Sequence, residues 1–168
     1  MIKIIDNYLA DFEFDEIYNQ INNEDFLWSF TKNVNNNCNE NHFQFLHKFV
    51  EFGKEKYDNS LHIPKKIMKP YSLNKSIGIT RAKANLFIKT EEKNIKLGYH
   101  KDIEDEDNFF TLLLYLEDSN GYTEFEDTSI VLSKKNRALI FKAHMQHQTV
   151  LQTDKLYRTN ININFKEI

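Results

Sequence analysis

The C-terminal half of the chain alternates between apolar and polar residues with a period of two, from about residue 79 onward. This period is typical of β-strands that bury one face. Turn residues such as the Asn-Gly pair in "DSNGYT" (118–123) separate the alternating segments. The pattern predicts eight strands, at about 79–90, 97–101, 109–117, 122–126, 129–133, 137–143, 147–152 and 157–165. Short strands at such close spacing are typical of an all-β sandwich or barrel.

The N-terminal half has a helical pattern instead. Residues 12–23, "FEFDEIYNQINN", and residues 42–57, "HFQFLHKFVEFGKEKY", repeat apolar positions at the spacing of amphipathic helices. We therefore expect one domain over residues 1–168, with a helical front at 1–78 and a stranded core at 79–168. The expected fold is mainly β, a jelly roll with N-terminal helices packed on one sheet.

The last predicted strand, "YRTNININF" (157–165), has an unusual polar face. Its apolar positions alternate with Arg158, Asn160, Asn162 and Asn164. Asparagine is depleted in strands because its amide competes for backbone hydrogen bonds. The polar face points either into the interior, where its amides need hydrogen-bond partners, or to solvent, where they need none.

Composition and charge restrict the class of protein. The chain has 168 residues, of which 40% are hydrophobic, and a formal net charge of −3 with no basic nucleic-acid footprint. It has no apolar run of the roughly 20 residues that a membrane span needs, and its N-terminus lacks a signal-peptide layout. The single Cys38 excludes a disulfide framework, so we expect a cytoplasmic, intracellular protein.

Arginine is scarce in this chain. Only three of the 22 lysine and arginine residues are arginines, namely Arg81, Arg137 and Arg158. Because lysine already supplies surface charge, each arginine is a candidate for binding that needs a planar, two-pronged donor. Chance residue usage is the alternative explanation.

A metal-ligand pair stands at the end of a predicted strand. In "GYHKDIED", His100 and Asp102 are two residues apart, and side chains at this spacing point the same way in an extended segment. "AHMQHQTV" offers His144 or His147 as a third ligand, and strand geometry favours His147. Two histidines and one carboxylate on one face are the arrangement that non-haem iron(II) uses with oxygen.

The order "HKD … NGYTEF … NRALIF … H … R" resembles the iron(II)/2-oxoglutarate-dependent oxygenases. It is similar in particular to the prolyl-4-hydroxylase-like branch, including small phage-type members with "RAKANL", "NGYTEF" and an "ININ"-like ending. The resemblance covers residues 79–165. It implies a double-stranded β-helix, the cupin-like form of the jelly roll, which agrees with the eight predicted strands.

The resemblance implies roles for individual residues. His100, Asp102 and His147 would be the iron ligands, and Arg158 would bind the distal carboxylate of 2-oxoglutarate. A guanidinium group suits a carboxylate better than an ammonium group does. Tyr115 matches a family tyrosine whose hydroxyl also reaches that carboxylate.

Three further positions concern the expected cosubstrate pocket. Asn160 shares the face of Arg158 and could donate a hydrogen bond to the carboxylate, and Asn85 in "KANL" would line the pocket. Phe87 departs from the family pattern, because relatives often have tyrosine there. We expect Asn85 to replace the lost phenol donor.

The resemblance implies a hydroxylase that couples oxidative decarboxylation of 2-oxoglutarate to hydroxylation of a substrate C–H bond. Its cofactors would be Fe(II), 2-oxoglutarate and O2, with ascorbate allowed as a further one. The prime substrate stays open among a peptide or protein side chain, an amino acid and a nucleobase. The alternatives are a non-catalytic ligand-binding β-barrel, which would lack a triad residue or the arginine, and a cupin-type metalloenzyme, which would not need Arg158.

Two loops, 91–98 and 103–108, border the expected opening of the site. The acidic segment "IEDED" (103–107) could attract a basic peptide, although a solvated charge cluster is the simpler interpretation.

Overall fold

The computed structural model describes residues 2–32, 42–56, 60–104 and 107–168. These residues form two helices, α1 (Asp11–Ile21) and α2 (His62–Ser72). They also form strands β1 (Ile2–Ile5), β2 (Ser29–Thr31), β3 (Gln44–Glu51), β4 (Lys54–Glu55), β5 (Ile77–Ile88), β6 (Phe109–Tyr115), β7 (Tyr122–Phe125), β8 (Ile130–Leu132), β9 (Arg137–Lys142), β10 (His147–Val150) and β11 (Tyr157–Glu167).

The strands make two sheets that face each other. The larger sheet has eight strands in the order β1-β9-β6-β11-β5-β3-β2, with β4 paired to β3. The smaller sheet has three strands in the order β10-β7-β8. The central strand β11 pairs antiparallel with β5 on one side and with β6 on the other. The expected mainly β jelly-roll architecture is therefore confirmed.

Both helices pack on the outer face of the larger sheet. Phe14, Ile17 and Ile21 form one buried stripe of α1, as the spacing of an amphipathic helix requires. The sheet residues in this core cluster include Ala82, Ala84, Leu112, Leu114, Ile161, Ile163 and Phe165. Because side chains alternate along a strand, this apolar outer face turns the even-numbered residues of β11 to the space between the sheets.

The space between the two sheets is apolar on one side and polar on the other. The apolar side contains Leu113, Tyr115, Phe125, Val131, Leu139 and Phe141. On the polar side Asn160, Asn162 and Asn164 are all buried, which shows that the polar face of the last strand points inward. Each buried amide must therefore find a hydrogen-bond partner inside the protein.

The helix predicted at 12–23 is confirmed as α1, but the helix predicted at 42–57 is wrong. That segment forms β3 and β4, and β3 lies between β2 and β5 in the larger sheet. Its aromatic residues also fit a period of two. His47 and Phe49 both face the ring of Phe26, with ring centroids 4.4 and 6.4 Å away.

Three other elements differ from the expectation. The supposed helical front also contains β1 and β2, and it contains the helix α2, which was not predicted and has Pro64 and Pro70 within its range. Proline is tolerated in the first turn of a helix but disfavoured further in. The segment predicted as a strand at 97–101 makes only one isolated bridge, between His100 and His147. Within the described ranges, no helix is long and apolar enough to cross a membrane.

Candidate active site

Backbone pairing brings His100, Asp102 and His147 together. His100 and His147 exchange two backbone hydrogen bonds of 3.0 Å, and the amide of Asp102 donates to the carbonyl oxygen of Ala143. Each of the three side chains offers a ligand atom, and these atoms all lie within 4.8 Å of one another. The smaller sheet thus supplies His147 at the start of β10, while the extended segment before β6 supplies the other two.

The two imidazoles are oriented by the backbone. The Nδ1 atom of His147 lies 3.0 Å from the carbonyl oxygen of Met145, and that of His100 lies 3.4 Å from the carbonyl oxygen of Gly98. A ring whose Nδ1–H faces a carbonyl presents the lone pair of Nε2 to a metal. Burial, followed by the nearby His147, lowers the pKa of His100 to about 4, so this imidazole is neutral as a metal ligand must be.

The carboxylate of Asp102 is enclosed by donors. Arg81 donates to it at 2.5 Å, Thr111 at 2.7 Å and Asn162 at 3.2 Å, and the Asp102 side chain is only 1% exposed. Burial alone would raise the pKa of Asp102, but nearby His147, Arg81 and His100 outweigh burial and hold that pKa below its usual range. Asp102 is therefore an anion at neutral pH.

This donor set fits a divalent transition metal. Two imidazole nitrogens and one carboxylate oxygen are the three protein ligands typical of non-haem iron sites. His144, the alternative third ligand, is not part of the group and has its Nδ1 3.9 Å from Asp107 Oδ1. The structure thus brings together the three residues that the sequence analysis favoured.

Arg158 is fully buried without an acidic partner. Its exposed fraction is 0%, its Nη2 donates to the carbonyl oxygen of Val150 at 3.2 Å, and its Nε has no hydrogen-bond partner. No acidic residue of the described chain forms an ion pair with it. Burial lowers the pKa of the guanidinium and outweighs the opposite effect of the more distant Glu117 and Asp154. The ring of Phe87 lies 5.3 Å from Arg158 Cζ, so the aromatic side chain packs against the cation.

Tyr115, Asn160 and Asn85 lie along the same interior. The hydroxyls of Tyr115 and Thr123 share a 2.7 Å hydrogen bond, and burial raises the pKa of Tyr115 to about 12. Asn85 Nδ2 donates to Asn160 Oδ1 at 2.8 Å, so its amide donor is already engaged within the chain. Its Oδ1 has no partner. Whether Asn85 replaces the phenol absent at Phe87 stays a prediction.

Gly121 lies directly against the Arg158 side chain, and the sequence analysis did not predict this contact. A Cβ atom at Gly121 would lie 2.9 Å from Arg158 Nε and 3.0 Å from Cζ. Gln152 is completely buried beside it, and its Nε2 donates to the carbonyl oxygen of Phe87. The sequence showed Gly121 only as a turn residue, although its place in the family-like "NGYTEF" was a signal for the pocket.

Arg81 and the distal asparagines form the other end of the polar interior. Arg81 Nε donates to Asn164 Oδ1 at 2.7 Å, and Asn164 Nδ2 donates to Thr111 Oγ1 at 2.8 Å. Together with the bond from Asn162 to Asp102, these contacts engage the amide donors of Asn162 and Asn164, while Asn162 Oδ1 has no partner among the residues that the structure describes. These asparagines connect the candidate metal ligand to the sheet.

The acidic segment at 103–107 is only partly visible, since residues 105–106 lie outside the described residues. Glu104 is exposed and pairs with Lys101 at 3.3 Å. This contact agrees with a solvated charge cluster and does not test an attraction for basic peptides.

Several solved structures are similar to this chain in their architecture. An oxidoreductase of the 2OG-Fe(II) oxygenase family from Burkholderia pseudomallei superposes with a TM-score of 0.69 at 11% identity, covering 98% of this chain and 84% of that one. A prolyl-4-hydroxylase from Pseudomonas putida gives a TM-score of 0.60 at 11% identity over 99% and 92% of the two chains. HygX from Streptomyces hygroscopicus, with nickel and 2-oxoglutarate bound, gives 0.62 at 9% identity over 98% and 82%.

No family model and no curated protein matches the sequence itself. The likeness therefore lies in the arrangement of the strands and helices rather than in overall sequence identity. The chain has the jelly-roll fold of the 2-oxoglutarate/iron(II) oxygenases, and the resemblance first seen in its motifs is confirmed at the level of the fold.

Proposed function

We propose that this protein is an iron(II)- and 2-oxoglutarate-dependent dioxygenase that hydroxylates a C–H bond of its substrate. The observation that carries the proposal is Arg158, a completely buried guanidinium that forms no ion pair among the described residues. An isolated buried charge is strongly unfavourable, so such a group is expected to bind an anion.

The position of Arg158 suggests which anion it takes. Arg158 and Asn162 lie on the same face of β11, and Asn162 contacts Asp102, so the guanidinium and the candidate metal ligands border one interior space. A short dicarboxylate could therefore place one end at the guanidinium and the other at the metal triad. 2-Oxoglutarate has this form, with a keto acid group that can chelate a metal.

Each residue has a distinct part in the proposed reaction. His100, Asp102 and His147 would hold Fe(II), which when bound supplies the oxidative chemistry with O2 and 2-oxoglutarate. Arg158 would bind and orient the distal carboxylate of the cosubstrate, and a two-pronged contact restricts its rotation.

The neighbours of these residues support the assignment of the triad to the metal and of Arg158 to the cosubstrate. Phe87 and Gly121 hold the Arg158 side chain from two sides. Arg81, Thr111 and Asn162 keep the Asp102 carboxylate ionised and fixed in direction, as partners of metal ligands do. Tyr115 and Asn160 border the space in which the cosubstrate would lie.

The test is succinate formation from 2-oxoglutarate by the iron-loaded protein, screened across amino acids, peptides and nucleobases. We expect Fe(II)-dependent succinate that increases when the true substrate is present, and none from His147→Ala. Hydroxylated product in proportion to succinate would support the hydroxylase. Binding of 2-oxoglutarate without succinate would indicate a non-catalytic module, and metal-dependent activity without 2-oxoglutarate a cupin-type enzyme.

A further inference from the structure

A second cationic group faces the interior close to the metal triad. Lys83 lies on β5 between Arg81 and Asn85, which are two residues away on either side. Arg81 contacts Asp102 and Asn85 contacts Asn160, so both point into the polar interior. Since side chains alternate along a strand, Lys83 points there as well.

Lys83 forms no direct ion pair among the described residues, although the charge of the nearby Asp102 carboxylate, already paired with Arg81, acts on it. No hydrogen bond or ion pair joins its side chain to another part of the chain that the structure describes. Burial, followed by the nearby Arg81, lowers the pKa of its ammonium group to about 8, so most Lys83 side chains are charged at neutral pH. Lys48 stands directly opposite Lys83 on β3, and like charges at such a position destabilise a sheet.

The neighbouring cations differ from Lys83 in having partners. Lys48 pairs with Glu51, and Arg81 pairs with Asp102. Lys83 has no such direct contact with an acidic group among the described residues. A residue that destabilises the protein without an internal partner is a candidate for ligand binding.

The charges of the loaded site lead to the same conclusion. The charges of a metal dication, a 2-oxoglutarate dianion, Asp102 and Arg158 together sum to zero. Arg81 and Lys83 then remain as two positive charges beside the metal ligands. An anionic group would complement them, whereas a cationic substrate would be repelled.

We propose that Lys83, assisted by Arg81, forms a subsite for a carboxylate or phosphate group of the prime substrate. This inference rests on the proposed function, because it takes the triad as the metal site and Arg158 as the cosubstrate site. Lys83 pairs in register with Asn162, while Arg158 pairs with Phe87, so the two cations stand at different levels of the interior. The subsite favours anionic small molecules over basic peptides.

The experiment uses protein loaded with nickel(II) and 2-oxoglutarate, so that binding is measured without turnover. Acetate and inorganic phosphate are titrated separately by calorimetry at constant ionic strength. We expect Lys83→Gln to weaken binding of the preferred anion at least tenfold, and Lys83→Arg to retain most of it. The matched control is Lys65→Gln, which removes one exposed charge from α2 and should change nothing. Preference for acetate indicates a carboxylate substrate, and preference for phosphate a phosphorylated one.

Three results would overturn the inference. Equal binding by wild type and Lys83→Gln would mean that the metal or Arg158 holds the probe. A loss of 2-oxoglutarate affinity in Lys83→Gln would assign the lysine to the cosubstrate. Absence of anion binding by the wild type would remove the subsite. Failure of the proposed function has a separate readout, since the wild-type protein would then either not bind 2-oxoglutarate or form no succinate from it.

Discussion

Arg81 and Arg158 lie on the two ends of one polar interior and have opposite environments. Arg81 is about one-third exposed and donates to the buried carboxylate of Asp102. Arg158 has no exposed surface and no carboxylate partner within the described ranges. An arginine therefore completes an ion pair at one end of the interior, whereas at the other end an arginine has no ion pair with any described residue.

The comparison separates structural arginines from those that need a ligand. Arg137 belongs with Arg81, since its Nε donates to Asp6 Oδ1 at 2.6 Å and joins β9 to the residue after β1. In a balanced pair the two charges compensate each other within the protein, so neither needs a ligand. An unbalanced buried cation is unfavourable until an anion arrives, which is why we assign Arg158 to the cosubstrate.

The largest expected effect is the loss of Fe(II) affinity on removal of a ligand of the candidate metal site, which lies at the Arg81 end of the interior. His147→Ala should weaken Fe(II) binding by more than the roughly 10–100-fold that loss of a supporting contact costs. His144→Ala, the matched control three residues earlier, should retain normal affinity. Calorimetric titration with Fe(II) under anaerobic conditions measures both. Loss of affinity in His144→Ala together with full affinity in His147→Ala would refute the ligand assignment.

Removing each arginine should change the stability of the metal-free protein in opposite ways. Arg81→Met leaves Asp102 buried without its cation, but Thr111 and Asn162 still donate to it. We therefore expect a loss of about 2 kcal/mol, below the ~3–5 kcal/mol of a fully buried pair. Arg158→Met removes an uncompensated charge and should be neutral or stabilising. Urea unfolding measures both, and an equal loss in the two variants would remove the contrast between them.

Lys83, like Arg158, is a cation without an ion pair in the described part of the chain, and its effect on the free energy of unfolding is expected to depend on pH. The pKa of Lys83 is about 8 in the folded protein, below its ordinary value of 10.5. Between pH 8 and pH 10.5 the unfolded chain therefore binds more protons than the folded protein does. Stability of the ligand-free wild type should consequently rise as the pH increases through this range. Lys83→Met should stabilise the protein by about 1–3 kcal/mol below pH 8, with a smaller gain at pH 10. A gain that is the same at both pH values would contradict this origin.

Gly121 tests how closely Arg158 is held. Gly121→Ala would place a methyl group 2.9 Å from Arg158 Nε, so the guanidinium must shift. We expect 2-oxoglutarate affinity to fall about tenfold, the equivalent of roughly 1.4 kcal/mol. Gly78→Ala is the matched control, because its new Cβ would meet only Ile168 Cδ1 at an ordinary 3.6 Å. Similar cosubstrate affinities in both variants would show that Arg158 is not held by this contact.

The strands of the core could be predicted because their alternation reports burial directly. The polar face of β11 also indicated an interior site, since three asparagines need partners when buried. The partners themselves could not be predicted. Pairing of β11 with β5 places Asn164 beside Arg81, and the segment before β6 brings Asp102 to Asn162. These contacts join residues more than 50 positions apart.

The front of the chain was harder to predict because local pattern and tertiary pairing disagree there. The 42–57 segment has an apolar stripe at helical spacing, yet it forms β3, which pairs with β2 and β5, and β4, which pairs with β3. Strand β1 is only four residues long and pairs with β9 at the far edge. Such pairing between distant segments overrides local propensity.

The most direct test of the account is the affinity of Arg158→Ala for 2-oxoglutarate. The cosubstrate is titrated anaerobically into Fe(II)-loaded protein while the metal-to-ligand absorption band is followed. We expect intact fold and iron binding but a hundredfold or greater loss of cosubstrate affinity, as removal of one side of a buried charge pair costs about 3–5 kcal/mol. Arg158→Lys should recover only part of it. Near-normal binding by Arg158→Ala would contradict the account and move the carboxylate site to Lys83 or Arg81.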